Sequence, residues 1–183
     1  MDKGTATRQT IVGTALSHAA RHGLASVTVG VLADELRMSK SGLFAHFKAK
    51  EALQLAVLDE AGARFHRRVI EPALTQQHGR ERLARLFTNY LDWMGDGCVY
   101  STVAQEIDKL PAGVADAFRD GQRRWQRTIE DLARDAVGPQ RAPDLALQFV
   151  GLSLAFQQTV RVFCDDSVRQ RVAEAFQRAM EMT

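Results

Sequence analysis

The sequence predicts an all-α protein of about nine helices. Three observations lead to this prediction. Apolar residues recur at intervals of three and four along most of the chain, and no stretch alternates with period two for long enough to predict a strand. Glycine or proline interrupts the pattern at Gly23, Pro72, Pro111 and Gly138. We expect a small N-terminal domain over residues 1–48 and a larger helical domain over residues 49–183.

The composition is that of a globular protein, with 45% hydrophobic and 25% charged residues in a chain of 183. The longest apolar run, residues 149–163, contains Gln157, Gln158 and Arg161 and falls short of the ~20 residues that cross a bilayer. The polar N-terminus does not resemble a signal peptide. We therefore expect a cytoplasmic protein with no membrane partner.

Two cysteines occur, Cys98 and Cys164, and they do not form a CxxC motif. This number favours a reduced compartment, and we expect both thiols to be buried without a chemical role.

Basic charge is concentrated near the N-terminus. Residues 1–50 contain seven lysines and arginines against three acidic residues, an excess of +4. The rest of the chain has 17 basic and 19 acidic residues and carries −2. This asymmetry suits a polyanionic partner, although many solvated surfaces carry as much charge.

The first predicted helix covers residues 8–22, after a flexible arm over residues 1–7. Gly23 is placed to end this helix, and Leu24 to pack back against it. The residues expected on its buried face are Ile11, Val12, Ala15, Leu16 and Ala19.

Residues 28–47 predict two short helices joined by a tight corner. Thr28 is placed to cap the first helix, and Ser39 to cap the second. The expected inner residues are Val29, Leu32, Ala33 and Leu36 on the first helix and Leu43, Phe44 and Phe47 on the second. The outer face of the second helix is small, polar and basic, with Lys40, Ser41, Ala45 and His46. Such a helix is thin enough to enter a DNA major groove.

A long helix is predicted over residues 50–69, ended by Pro72 and followed by a polar loop over residues 75–79. Its expected inner stripe is Leu53, Val57, Ala61, Phe65 and Val69. Further helices are predicted over residues 80–94, with a break at Gly95 and Gly97, and over residues 101–110. Three more are predicted over residues 114–136, over residues 145–163 and from about residue 167 onwards.

The helix over residues 145–163 has apolar residues on more than one face. Its main stripe ends at Phe163, whereas Leu147, Val150 and Leu154 lie off that stripe. A helix that is apolar on two sides must be covered on two sides. We expect a homodimer through the last two helices, because groove-reading helices usually work in two-fold pairs. The alternative is a central helix of the monomer.

Residues 28–53 resemble the TetR family of bacterial transcriptional regulators. With Gly23 before them, the matching residues cover roughly the first third of the chain. They are Thr28, Leu32, Ala33, Leu36, Ser39, Lys40, Ser41, Leu43, Phe44, His46, Phe47, Lys50, Glu51, Ala52 and Leu53.

The resemblance implies a helix-turn-helix domain that binds double-stranded operator DNA as a dimer. It also implies a helical body that in many members binds a small molecule and releases the DNA. By position, Thr28, Phe44 and Lys50 correspond to residues that commonly face phosphates. Lys40, Ser41 and Gly42 lie where base edges are read, and Ala45 and His46 flank the DNA backbone.

The residue chemistry agrees with these roles. Lys40 could donate to guanine O6 and N7 or to a phosphate, and the helix N-termini at Ser39 and Lys50 offer backbone N–H groups to phosphates. Three residues depart from the family pattern. Arg37 replaces a common glycine at the corner, where its charge could reach a phosphate; Phe44 replaces a tyrosine and lacks its hydroxyl; Ala49 replaces a capping Ser or Asp.

The effector is unknown, and composition alone indicates which residues could line an apolar cavity for it. Each of these residues is more often simple core than ligand wall. They are Phe65, Phe87, Tyr90, Trp93, Met94, Tyr100, Phe118, Trp125, Phe156 and Gln157.

Evidence for other chemistry is weak. His18 and His22 have the spacing of a helical metal clamp but no third ligand nearby, and Glu106 and Asp108 are expected to face water. We therefore expect no catalysis, metal or cofactor. The sequence favours a ligand-responsive, dimeric, sequence-specific repressor. The alternative is an all-α small-molecule carrier or enzyme that retains the fold without regulatory DNA binding.

Overall fold

The computed structural model describes residues 3–95 and 98–181. Within these ranges every regular element is helical and no strand occurs, which confirms the all-α prediction. The first four helices are α1 (Lys3–His22), α2 (Val29–Leu36), α3 (Lys40–His46) and α4 (Lys50–Phe65). The next five are α5 (Arg80–Gly95), α6 (Val99–Gln105), α7 (Ala112–Val137), α8 (Ala142–Phe163) and α9 (Val168–Glu181). Two 3₁₀ turns lie at Leu24–Ser26 and Ile107–Lys109.

The described residues pack into two compact units. The first contains residues 3–64 and 98–121, and the second contains residues 65–95 and 122–181. The first unit therefore joins α1–α4 to α6 and the start of α7. The boundary after residue 48 remains a prediction about where function divides.

Helix α1 begins at Lys3, so the prediction of a flexible arm over residues 1–7 is wrong for residues 3–7. Met1 and Asp2 lie outside the described residues. Once a helix has nucleated, each further turn costs little, and the segment has no proline to stop it. All five residues predicted on the inner face of α1 are buried.

Gly23 ends α1 as predicted. Its N–H donates to Ala19 O at 2.9 Å, and its φ of 86° lies where side chains other than glycine are strained. The chain then enters the turn Leu24–Ser26, and Leu24 is fully buried.

The core of the first unit combines the three N-terminal helices with α4, α6 and α7. Leu32 and Leu43 are fully buried together with Leu53 of α4 and Val103 of α6. Burying one such side chain stabilises the fold by roughly 1.5–3 kcal/mol. The short helices α2 and α3 therefore depend on the later helices for much of their stability.

The sequence predicted that the helix beginning at Lys50 ends before Pro72, but the helical backbone that follows α4 passes this residue. It continues through a π-helical turn at His66–Ile70 and a short α-helical segment at Glu71–Leu74. In the π turn the N–H of Glu71 bonds to His66 O, five residues back. Pro72 then lies in the first turn of the last segment, where its missing N–H is not needed. The predicted inner stripe from Leu53 to Val69 is buried.

The later helices follow the predicted order, and the predicted loop after Leu74 is present. Gly95 is the last residue of α5, and the break predicted at Gly97 lies outside the described residues. The helix predicted over residues 101–110 is divided into α6 and the 3₁₀ turn Ile107–Lys109. Leu110 is extended, as a residue before proline favours.

Aromatic rings form the centre of the second unit. Phe87 of α5 stacks on Phe176 of α9 with ring centroids 4.2 Å apart. Phe149 of α8 meets Phe87 edge to face at 4.9 Å. All three side chains are buried, so they join α5, α8 and α9 around one core.

Two expectations for the end of α8 are wrong. Phe163 was assigned to the inner stripe but is 70% exposed, because it lies in the last turn before the chain reverses towards α9. Cys164 was expected to be buried, as Cys98 is, but it is exposed at the end of α8 with a left-handed φ of 51°.

The turn after α8 is held by Asp165, whose carboxylate accepts from Ser167 N at 2.9 Å. Hydrogen bonds from the Ser167 side chain and backbone lower the pKa of Asp165.

None of the helices in the described ranges is both long enough and apolar enough to span a membrane.

Candidate nucleic-acid interface

The two caps predicted for α2 and α3 are confirmed. Thr28 Oγ1 accepts from Val31 N at 3.2 Å, and Ser39 Oγ accepts from Gly42 N at 3.1 Å. Each bond satisfies a backbone N–H that the first turn of a helix leaves free. The start of both helices is therefore set by residues within three positions along the chain.

Arg37 forms the corner between the two helices in the left-handed conformation, with φ 53° and ψ 38°. Its N–H bonds to the carbonyls of Ala33 and Asp34, and Met38 N donates to Ala33 O at 2.9 Å. A side chain in this region costs about 1–2 kcal/mol, which the glycine common in the family avoids. The Arg37 side chain is exposed beside α3.

Helix α3 buries one side and exposes the other. Leu43 and Phe47 are buried, as predicted, but Phe44 is 49% exposed and does not belong to the inner face. Phe44 follows Leu43 by one residue, a rotation of about 100° around the helix, whereas Phe47 returns to the same side after four residues. The Phe44 ring therefore lies on the outer surface.

We define the α3 surface as the outer residues of the corner and helix α3. Its members are exposed or half-buried, and they are Arg37, Ser39, Lys40, Ser41, Gly42, Phe44, Ala45 and His46. The surface combines the basic side chains of Arg37, Lys40 and His46 with small residues that let a partner approach the helix backbone. Thr28, which precedes α2, is half-buried and uses its hydroxyl as a cap.

Two side chains connect α1 to this region, His18 and Arg8, and the sequence predicted this role for neither of them. His18 is 8% exposed, with Nδ1 2.7 Å from Glu35 Oε1 of α2 and Nε2 3.1 Å from Ser26 Oγ. Arg8 donates to His46 O at 3.0 Å, and its guanidinium lies 4.1 Å from the Phe47 ring centroid. These contacts brace α2 and the end of α3 against α1.

The metal clamp considered for His18 and His22 has no structural support. Both ring nitrogens of His18 are engaged by protein groups. Among the residues that the structure describes, no three His, Cys, Asp or Glu side chains are grouped so that they could hold a metal ion.

The backbone of the turn Leu24–Ser26 is held by side chains from α4. Lys50 Nζ donates to Ala25 O at 2.7 Å, and Gln54 Nε2 donates to Leu24 O at 2.8 Å. Lys50 is exposed at the first position of α4, whereas Gln54 is fully buried. The Lys50 ammonium group, which was predicted to contact a phosphate, thus donates to the Ala25 carbonyl in the free chain.

Glu106 was expected to face water, and this expectation is wrong. Its Oε1 accepts from Ala25 N at 3.0 Å in a partly buried position. Glu106 lies in the chain between α6 and the turn Ile107–Lys109, and its carboxylate contacts the N-terminal turn 81 residues earlier. Asp108, two residues later, is exposed as predicted.

Most of the residues proposed for an effector cavity lie in the second unit. Phe65 meets Trp125, Trp93 and Tyr90 edge to face, with centroid distances of 4.8, 5.6 and 5.9 Å. Trp93 Nε1 is buried and has no hydrogen-bond partner among the residues that the structure describes. Phe87, Met94 and Phe156 are buried, and Gln157 is half-buried. Tyr100 and Phe118 belong to the first unit instead, with centroids 6.3 Å apart.

Two family models match the chain. The model described as bacterial regulatory proteins of the tetR family matches residues 11–57. The model described as the tetracyclin repressor-like C-terminal domain matches residues 79–176, more than half of the chain. A comparison with curated protein sequences finds no significant match.

Solved structures share the fold over nearly their whole lengths. A TetR transcriptional regulator from Chloroflexus aurantiacus is 20% identical, with a TM-score of 0.86 over 100% of this chain and 98% of that one. A putative transcriptional regulator from Saccharomonospora viridis, in complex with choline, is 23% identical, with a TM-score of 0.76 over 98% and 97%. AibR, in complex with isovaleryl coenzyme A and operator DNA, is 17% identical, with a TM-score of 0.74 over 93% and 95%.

These TM-scores establish a common fold, and the family models cover both the helix-turn-helix region and the helical body. The chain belongs to the TetR family of bacterial regulatory proteins.

Proposed function

We propose that this protein is a cytoplasmic, sequence-specific transcriptional repressor that a small molecule releases from its operator. The observation that supports this most directly is the α3 surface. A short helix is capped at Ser39, turned outward by the corner at Arg37 and exposes Lys40, Ser41 and Phe44. A helix of this kind fits the major groove, where each base pair has its own pattern of donors and acceptors.

The α3 surface and the neighbouring Lys50 of α4 divide between two tasks. Lys40 and Ser41, in the first turn of α3, are placed to contact base edges, with Lys40 donating to guanine O6 and N7. Arg37, the N-terminus of α3 and Lys50 contact phosphates, which supply affinity and fix the register of the helix. Phe44 has no hydroxyl, so it contributes apolar contact to a sugar or a thymine methyl group.

The second half of the proposal is a homodimer through α8 and α9. Leu147 and Leu154 of α8 are 72% and 56% exposed in the single chain, and their spacing of two helical turns puts them on the same face. A two-fold partner would cover this face. Two α3 helices would then meet successive major grooves of one duplex, about 34–36 Å apart.

The effector is proposed to bind in the second unit, beside Phe65, Tyr90, Trp93 and Trp125. The two relatives solved with choline and with isovaleryl coenzyme A show that this fold accommodates small molecules, and AibR binds operator DNA as well. A ligand weakens DNA binding only as far as it prefers the conformation that holds the α3 helices at the wrong spacing.

The test is selection of bound duplexes from random DNA, followed by titration of the selected duplex. We expect one preferred site, and we expect Lys40→Ala to weaken its binding about tenfold or more, because one base-pair contact contributes roughly 1–3 kcal/mol. Lys109→Ala removes an equal charge from an exposed position outside the α3 surface and should change affinity less than twofold.

Absence of a preferred site, with no steep dependence on salt, would contradict the proposal. That result, together with affinity for an apolar compound, would favour the alternative of a small-molecule carrier or enzyme that keeps the fold without regulatory DNA binding.

A further inference from the structure

We propose that Glu106 is a positioning residue for DNA binding, which acts on Lys50 through the backbone of Ala25. The inference rests on the proposed function and names a residue far outside the helix-turn-helix region.

The backbone N–H and carbonyl of Ala25 are each hydrogen-bonded to a charged side chain, and the two charges are opposite. Its N–H donates to Glu106 Oε1 at 3.0 Å, and its carbonyl accepts from Lys50 Nζ at 2.7 Å. Hydrogen bonds to ionised groups are about twice as strong as those between neutral groups. The two bonds therefore hold the Ala25 backbone in one orientation, and the carbonyl in turn determines where the Lys50 ammonium lies.

Gly23 leaves the space that Glu106 occupies. A Cβ atom at position 23 would lie 2.4 Å from Glu106 Oε2 and would displace the carboxylate. The positive φ of Gly23 independently disfavours a side chain there. Gln54 holds the neighbouring Leu24 carbonyl from α4. The Glu106 carboxylate therefore packs directly against the turn Leu24–Ser26, in space that only a glycine at position 23 leaves free.

The ammonium of Lys50 remains available to DNA in this arrangement. A lysine has three N–H donors, and Ala25 O uses one of them. Lys50 is exposed, so the remaining donors can reach a phosphate oxygen. A lysine side chain restrained in this way loses less conformational freedom on binding than a free one. Loss of Glu106 should therefore weaken the phosphate contact of Lys50 without altering the α3 surface.

The test is a double-mutant cycle on the selected duplex, with Glu106→Ala, Lys50→Ala and the double variant. We expect Glu106→Ala to lower affinity about fivefold, and the double variant to bind as weakly as Lys50→Ala alone. The slope of log affinity against log salt should fall in both single variants, by up to about 0.9 for one lost phosphate contact. A merely structural role would not alter this slope.

Two controls isolate the contact. Asp108→Ala removes the same charge from an exposed site in the same segment and should change affinity less than twofold. Glu106→Gln keeps an oxygen that accepts from Ala25 N–H and should retain most of the affinity. If Glu106→Ala does not fold, Glu106→Asp replaces it in the cycle, because the shorter side chain withdraws the carboxylate from Ala25.

Independent effects of the two single variants would overturn the inference, as would an equal effect of Asp108→Ala. In either case the wild-type protein would still select a preferred duplex and the proposed function would stand. Failure of the wild-type protein to select any duplex would instead contradict the proposed function.

Discussion

Arg37 holds the corner between α2 and α3 in a backbone conformation that is unfavourable for its side chain. We expect Arg37→Gly to stabilise the protein by about 0.5–1 kcal/mol, since relief of the left-handed strain exceeds the added freedom of glycine in the unfolded chain. Thermal or urea unfolding measures the change. Arg37→Ala is the control, because it removes the charge but keeps the strain, and an equal gain with alanine would contradict the explanation.

His18 is a second residue whose effect extends beyond its own helix, through Glu35 and Ser26. We expect His18→Ala to lower the free energy of unfolding by about 2 kcal/mol, because it removes two partly buried hydrogen bonds, one of them to a carboxylate. His22→Ala, an exposed neighbour one turn later, should change it by less than about 0.5 kcal/mol. Similar losses in the two variants would show that the His18 contacts contribute little.

The residues that could be predicted from the sequence act on their near neighbours. Thr28 and Ser39 each cap the helix that follows by accepting from a backbone N–H three residues ahead, and Gly23 ends the helix directly before it. Residue type and spacing therefore indicate each role. Glu106 and Ala25 are 81 residues apart, and His18 and Glu35 are 17 apart. Such pairs depend on how helices pack, and no local pattern reveals them.

At the scale of elements, helix periodicity predicted the positions of the helices well. It predicted less well where each helix ends and which face of a short helix is buried. Helix α3 has only seven residues, too few for a repeated pattern to show which apolar residues face inward. The sequence therefore assigned Leu43, Phe44 and Phe47 all to the inner face. The structure places Phe44 outward, which enlarges the α3 surface. In longer helices such as α4, the apolar stripe repeats over several turns and identifies a single buried face.

Pro72 shows how an irregular turn changes the effect of a helix-breaking residue. Because the π turn precedes it, we expect Pro72→Ala to change the free energy of unfolding by less than about 1 kcal/mol, against the ~3 kcal/mol of a proline inside a regular helix. Denaturant unfolding of the two proteins measures this difference. A gain near 3 kcal/mol in the alanine variant would mean that Pro72 interrupts a regular helix after all.

At the scale of the whole molecule, the exposed leucines of α8 link the single chain to a proposed dimer. Leu147 and Leu154 were predicted to lie off the main stripe, and they are exposed. We expect Leu154→Asp to convert a dimer to monomers and to weaken operator binding at least tenfold, since a buried unpaired charge opposes association. Sedimentation velocity measures the state of association.

Leu74→Asp is the matched control, because Leu74 is an exposed leucine outside α8 and α9. It should leave the state of association unchanged. A Leu154→Asp protein that remains dimeric would exclude this face of α8 as a critical part of the interface.

The central claim is that two α3 helices read one duplex at a fixed separation. The most direct measurement is the affinity for the selected duplex before and after insertion of about five base pairs, half a helical turn, between its half-sites. We predict a loss of at least about a hundredfold, down to the affinity of a single half-site, because the second helix would face the wrong side of the DNA. Equal affinity for the two duplexes would contradict the claim.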